Sequence, residues 1–327
     1  MQPQSKIVII GSGMAGSGLA LELAARQIPV TLITGETAGY YSRPLLSHAF
    51  SDQTTKDRMM LKSWKDMETA GVTVMTGTRV LSINREEKSV LWESNSSSGE
   101  LPYDQLVLAT GSDALIPGPW KAQKTHFSLL NSYNDLENLL PKVGEVQNSI
   151  AIVGGGLIGC EVASDLNKAG KKVTLFHGVD RLMERQLSES QSAELLAHFQ
   201  FLGIDIRLNT MVKGFEPGKV LLPEGDSFSA DLILVAVGFL PRTELAKQAG
   251  LETGRGIKAS DFLKTSDDSI FAIGDTAEIN GQIYAFVLPI RSQVKWLTDY
   301  LSGKTTEPWT PGVYPAKAKI HGLQLKW

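Results

Sequence analysis

Short unbroken apolar runs recur along this chain, each followed by a longer stretch whose apolar positions return every three or four residues. Residues 6–10 and 30–34 are two such runs, with 14–27 between them in helical register. A run without polar alternation is what a strand covered on both faces requires, so the pattern predicts strand–helix–strand units on a parallel sheet. The same plan returns at 149–176, and the apolar strands at 106–111 and 231–238 each end in a glycine turn. Between them the sequence predicts a loop at 39–48, a helical stretch near 60–70, strands at 72–75 and 79–92, and a polar turn at 95–99. A helix at 189–202, a strand at 204–208 and a last helix at 289–302 follow, and 316–327 alternates with period two about His321-Gly322, which predicts a hairpin. The fold class is α/β, with one supersecondary plan used twice.

Where each strand–helix–strand unit turns from strand into helix, glycines stand at one spacing. Gly11, Gly13 and Gly16 enclose Met14 and Ala15; Gly154, Gly156 and Gly159 enclose Leu157 and Ile158. In this setting the pattern is a dinucleotide fingerprint. Two glycines allow a tight turn and close approach of backbone to a pyrophosphate, the third lets helix and strand pack, and the helix N-terminus receives the phosphates. Two fingerprints predict two Rossmann-like dinucleotide-binding domains, with the short β segment at 316–327 after them, in an enzyme where one dinucleotide reduces the other.

A length of 327 residues suffices for two domains, and a formal net charge of -3 without any Lys/Arg-rich run leaves no nucleic-acid footprint. Cys160 is the only cysteine, which excludes an intramolecular disulfide or a dithiol redox centre. The histidines, His48, His126, His177, His198 and His321, show no metal-ligand spacing, so no metal is expected. Lys6 and the apolar run after it mimic a secretory leader, but the glycine spacing, the charges of Glu22 and Arg26 and the second strand after Pro29 favour the strand–helix–strand reading. No window is apolar enough to span a bilayer. A cytoplasmic protein without membrane insertion is expected.

The order and intervals of Gly11/Gly13/Gly16, Ala109-Thr110-Gly111, Gly154/Gly156/Gly159 and Gly274-Asp275 resemble the two-dinucleotide flavoprotein reductases of the glutathione-reductase fold, over nearly the whole chain. Tyr41-Ser42-Arg43-Pro44-Leu45-Leu46-Ser47, the run from Gly156 to Glu161, and the run from Val237 to Ala246 look like the rubredoxin reductases and related ferredoxin reductases within that family. The resemblance implies FAD on residues 1–115 and 242–308 and NAD(P)H on 116–241, with 309–327 as the remnant of a C-terminal interface domain. In relatives that small β-rich domain covers the flavin face or builds a homodimer.

The resemblance also implies roles. Arg43 is the cation beside the isoalloxazine, where it favours an anionic reduced ring, and Glu161 contacts the nicotinamide carboxamide. Pro44, Val80, Ala109, Thr110 and Gly111 join the flavin contacts, Gly274 lets the backbone come close, and Asp275 accepts a ribityl hydroxyl. Glu36 is the candidate for the adenosine ribose, because the strand-end position is Thr34 rather than an acid. Backbone donors at the start of the last helix would face the flavin carbonyl. His177 and Gly238 belong to the NAD(P)H side.

Two positions depart from the family. His48 stands where ferredoxin reductases carry lysine, and His177 stands where NADH-preferring relatives carry an acid, with Arg181 or Arg185 near to attract a 2′-phosphate. Coenzyme preference is therefore open. Cys160 reads as a small buried hydrophobe, and no thiol near Ser47-His48 supports disulfide chemistry. The implied reaction passes hydride from NAD(P)H to FAD and then single electrons to a rubredoxin or ferredoxin-like carrier. A flavin-dependent oxidase or small-molecule reductase, and a non-catalytic NADH-sensing flavoprotein, are the alternatives on the same fold.

Overall fold

The structure, a computed structural model, describes residues 6–52 and 54–327. The chain divides into two compact units. The first holds the described residues up to Ser42, Met60–Asp113 and Leu240–Tyr314; the second holds Arg43–Met59, Ala114–Phe239 and Pro315–Trp327.

The first unit is built on a five-stranded parallel sheet in the order Ile270–Ala272, Gln105–Leu108, Ile7–Ile10, Val30–Ile33, Thr73–Met75. All four residues of Ile7–Ile10 are buried, as a strand covered on both faces requires. Helix Met14–Ala25 packs against helix Val287–Leu301, with Gly18 facing the Val294 side chain. An ion pair between Arg26 and Asp299, 2.6 Å apart, ties the far ends of the two helices.

The second unit repeats the plan with four parallel strands in the order Asp205–Arg207, Val173–Phe176, Ile150–Val153, Leu232–Val235. Helices Leu157–Lys168 and Glu189–Phe201 connect them.

Several local expectations are corrected. The helical stretch near 60–70 is a short strand, Met60–Lys62, followed by helix Trp64–Thr69, which a Ser63/Asp66 capping box starts. The polar turn at 95–99 is shorter than read, because Ser98–Pro102 is a strand that completes an antiparallel meander with Thr78–Asn84 and Ser89–Ser94. Gly99 lies under the Trp92 ring opposite, which is 3.2 Å from where a Cβ would stand, so a larger residue there would push the ring aside. The compact units group residues by contact and not by cofactor, and their bounds are not those of the expected FAD and NAD(P)H segments. Residues 43–59 join the second unit rather than the first, and the segment 309–327 is split, with Trp309 buried in the first unit's core and 315–327 joined to the second.

Strands Lys317–Ile320 and Leu323–Lys326 form the hairpin about His321-Gly322, where Gly322 has φ +79°. A lone hairpin is marginal and leaves edge groups open. Here the Lys319 N–H donates to Glu161 Oε1 at 2.9 Å and the His321 N–H to Ser164 Oγ at 2.9 Å. His198 and Gln191, both on helix Glu189–Phe201, donate to the carbonyls of His321 and Lys326. Side chains from two helices thus take the place of a neighbouring strand.

Candidate active site: two dinucleotide cradles

The two fingerprints are the same object built twice. Gly11 has φ +105°, and a Cβ on it would sit 2.2 Å from the Ala109 carbonyl oxygen; Gly154 has φ +117°, and its Cβ would sit 2.3 Å from the Ala236 carbonyl oxygen. A Cβ on Gly16 would lie 1.8 Å from the Gly11 oxygen, and one on Gly159 1.8 Å from the Gly154 oxygen. At Gly13 and Gly156, by contrast, a Cβ would meet nothing within 4 Å, so these positions face open space.

Helices Met14–Ala25 and Leu157–Lys168 start at these glycines without a side-chain cap and without an acid in the first turn. The helices beginning at Trp64, Tyr133 and Glu189 are instead closed by Ser63, Ser132 and Ser188 in capping boxes. Bare N–H groups with no repelling carboxylate suit a diphosphate, and a Ser or Asp cap would occupy the donors it needs. Each cradle therefore fits one dinucleotide.

In the first unit Gly274 (φ +75°) comes against the first fingerprint, a Cβ on it lying 2.9 Å from Ala15 Cβ. Its N–H donates to Gln293 Oε1 at 2.8 Å, which fixes the amide so that Gln293 Nε2 is buried with no partner among the described residues. That orphaned donor beside Gly274 is what a bound cofactor's acceptor would satisfy. Ser112 Oγ donates to Asp275 at 3.1 Å, and Thr110 and Thr276 hydroxyls both donate to the Arg242 carbonyl. The Arg242 guanidinium in turn binds Asp113 at 2.6 Å and the Thr110 carbonyl at 3.1 Å. Ala109-Thr110-Gly111 and Gly274-Asp275 thus converge on Gly11–Gly16, held by Ser112, Thr276 and Arg242, none of which sequence reasoning assigned to the site. Thr34 Oγ1 lies 2.6 Å from Ser12 Oγ and accepts the Glu36 N–H at 3.1 Å, keeping the strand end beside the fingerprint. Val80 packs half-buried on the core of this unit. Asp275→Ala is expected to weaken FAD retention by ~1–3 kcal/mol, one charged hydrogen bond; a flavin dissociation constant unchanged from wild type in equilibrium dialysis would remove Asp275 from the site.

In the second unit His177 Nδ1 accepts the Gly155 N–H at 3.0 Å, so its Nε2 carries the proton and donates to Glu184 Oε2 at 3.2 Å. An acid seven residues further along, Glu184, is thereby held beside the histidine at the strand end. Arg181 is committed to the carbonyls of Glu184 and Leu187, and exposed Arg185 pairs with Glu184 at 3.4 Å. Leu157 and Ile158 open the helix after the fingerprint, and Gly238 (φ +126°) accepts the Leu115 N–H at 2.9 Å. Cys160 is fully buried, and burial pushes its thiol pKa up, away from any thiolate role.

Arg43 Nη1 donates to the Asn131 carbonyl at 2.5 Å. Glu161 is buried, and its carboxyl is raised above the usual range by that burial, in part offset by Lys319. Lys319 Nζ lies 3.3 Å from Glu161 Oε2 and also donates to the Pro44 carbonyl, joining two residues singled out from the sequence through a third that was not. His48 Nδ1 lies 2.9 Å from Asp165 Oδ1, to which His321 Nε2 also bonds at 2.7 Å. Linear spacing hid this grouping, because its members stand in three distant segments.

A family model described as pyridine nucleotide-disulphide oxidoreductase matches residues 5–293. The rubredoxin-NAD(+) reductase of Alcanivorax borkumensis is 34% identical over 321 residues, 96% of this chain and 82% of the relative. The nitric oxide reductase FlRd-NAD(+) reductase of Shigella boydii is 33% identical over 307 residues, 92% of this chain and 80% of the relative. Among solved structures, a covalent putidaredoxin reductase–putidaredoxin complex superposes with a TM-score of 0.90 at 29% identity, covering 98% of this chain and 80% of that one. The chain belongs to the pyridine nucleotide-disulphide oxidoreductase family. It is a flavin oxidoreductase that uses FAD and NAD(P)H.

Proposed function

We propose that this protein draws electrons from NADH through FAD and hands them singly to a small iron–sulfur protein, rubredoxin first and a ferredoxin second. The observation that carries this reading is a pair of equally built dinucleotide cradles on a chain whose only thiol is buried and protonated. With no second redox store on the chain, electrons that enter must leave to an external acceptor. The names of the Alcanivorax and Shigella relatives, and of the reductase in the putidaredoxin complex, support a one-electron protein carrier as that acceptor. The cofactors supply the hydride transfer and its division into single electrons. The chain's part is to hold and bias them: the fingerprints receive the diphosphates, Asp275 the ribityl chain, Glu36 the adenosine ribose, Arg43 the isoalloxazine, and Glu161 the nicotinamide carboxamide. A homodimer and a cytoplasmic location belong to the same proposal, the latter because the reaction consumes NAD(P)H and the chain carries a single cysteine.

Glu184 favours NADH in this reading, since a carboxylate beside the strand end binds a ribose diol and repels a 2′-phosphate. Glu184→Gln is expected to shift the NADH/NADPH ratio of kcat/KM toward NADPH by about tenfold, or ~1.4 kcal/mol. An unmoved ratio would assign ribose reading elsewhere.

Anaerobic titration is expected to bleach the flavin with about one two-electron equivalent per chain, in wild type and in Cys160→Ser alike. Uptake of a second equivalent would return the protein to the thiol-dependent members of its family. The deciding experiment is stopped-flow oxidation of the reduced protein by a rubredoxin, a ferredoxin and oxygen in parallel. Fast discharge to the protein carriers supports the reading, and fast discharge to oxygen alone overturns it.

A further inference from the structure

His48, Asp165 and His321 come together within the second unit from a 3-10 turn, a helix and the hairpin turn. His48 Nδ1 lies 2.9 Å from each Asp165 oxygen, and His321 Nε2 lies 2.7 Å from Oδ1. Ser51 Oγ adds a bond of 2.8 Å to the same oxygen and stands 3.4 Å from His321 Nε2. The imidazole rings are tilted by 52° with centroids 5.8 Å apart, and one donor atom from each of the three residues falls within 4.8 Å of the others. Asp165 is fully buried, whereas the imidazole side chains keep 20% and 30% of their surface exposed, so an ion has a path to the cluster.

We propose that His48, Asp165 and His321 bind a zinc-class divalent transition metal, clamping the hairpin to helix Leu157–Lys168 and to the 3-10 turn Ser47–Phe50. Two imidazoles and a carboxylate are a common three-residue zinc set, leaving a fourth position for water or the Ser51 hydroxyl. Ligand atoms about 2.0–2.1 Å from a tetrahedral ion are roughly 3.3 Å from one another. His321 Nε2 and His48 Nδ1 stand 2.7 Å and 2.9 Å from Asp165 Oδ1, and the three ligand atoms all lie within 4.8 Å of one another, so the two imidazoles must draw back from the carboxylate by about half an ångström to admit the ion.

The proton balance identifies the obstacle. A carboxylate only accepts, so the ring nitrogens facing Asp165 now carry protons. To ligate, a neutral ring must move that proton to its other nitrogen, and a charged ring must release it to solvent. For His321 the other nitrogen, Nδ1, lies 3.4 Å from the Lys168 ammonium, which can only donate. Lys168 therefore opposes the tautomer that the metal needs, and the exposed lysine has to swing away on binding. A purely structural hydrogen-bond cluster has no such dependence on Lys168.

The test uses the flavin-loaded full chain after chelator treatment, titrated with Co2+ and followed by its visible ligand-field bands beyond the flavin absorption, then back-titrated with Zn2+. One saturable ion per chain is expected. His321→Gln and Asp165→Asn should each weaken it at least about tenfold, and Lys168→Met should tighten it. Retained flavin and an unchanged far-ultraviolet spectrum qualify each variant, and Lys168→Met tests the site from an exposed position. Absence of stoichiometric binding by the wild type up to about 1 mM metal, or affinity that none of the three substitutions moves, overturns the proposal.

Discussion

Gly154→Val is expected to weaken NAD(P)H binding strongly while leaving FAD in place, and Gly11→Val is expected to do the reverse. Each glycine has a φ forbidden to a branched residue, and each would drive a Cβ to within 2.3 Å of a backbone carbonyl, at Ala236 and Ala109 respectively. Backbone strain of ~1–3 kcal/mol and overpacking of ~1–3 kcal/mol add to a loss of about thirtyfold or more in affinity for the dinucleotide on that unit. Because the two cradles belong to separate compact units, the damage should stay on the side where it is made. Flavin content measured on the purified variants and NADH binding measured by quenching would check this. Loss of both cofactors from either variant would show that the cradles fold as one cooperative element instead.

Lys319→Met is expected to lower the melting temperature by about 6–12 °C, corresponding to ~3 kcal/mol. The substitution keeps the length of the side chain and the backbone N–H that donates to Glu161, but it removes the ammonium paired with a buried carboxylate and the donor to Pro44. A buried charge stripped of its partner costs several kcal/mol, whereas removing both partners together costs far less. Lys319→Met combined with Glu161→Gln should therefore recover most of the lost stability, as a double-mutant cycle measures. A single variant that melts within about 1 °C of wild type would mean that the hairpin is held by its backbone bonds alone.

The part of the site that lies within one short segment could be read before the fold was known. Gly11 to Gly16 and Gly154 to Gly159 announce their conformation because only glycine tolerates those φ values and close contacts, and the apolar runs before them alternate with nothing polar because both faces are covered. The hairpin about His321-Gly322 was legible for the same reason: a period of two and a glycine at positive φ are local signals. Residues 60–70 misled because a strand of three residues and a helix of six are each too short to show a period.

What the sequence determined by itself is the pair of strand–helix–strand cradles, the class of ligand they hold and the absence of a second thiol, all of which follow from residue type at fixed local spacing. Only the tertiary structure decided that Lys319 reaches Glu161, that Glu184 comes to lie against His177 at the strand end, and that His48 and His321 meet on Asp165. The Lys319–Glu161 and His–Asp–His contacts join residues more than a hundred positions apart, and the Glu184–His177 contact depends on how an irregular loop folds back on its strand. Residue type reports which bonds a side chain is able to make, but which partner arrives is settled by packing, where burial of Glu161 and Asp165 leaves a carboxylate no water to bind and so selects the nearest available donor.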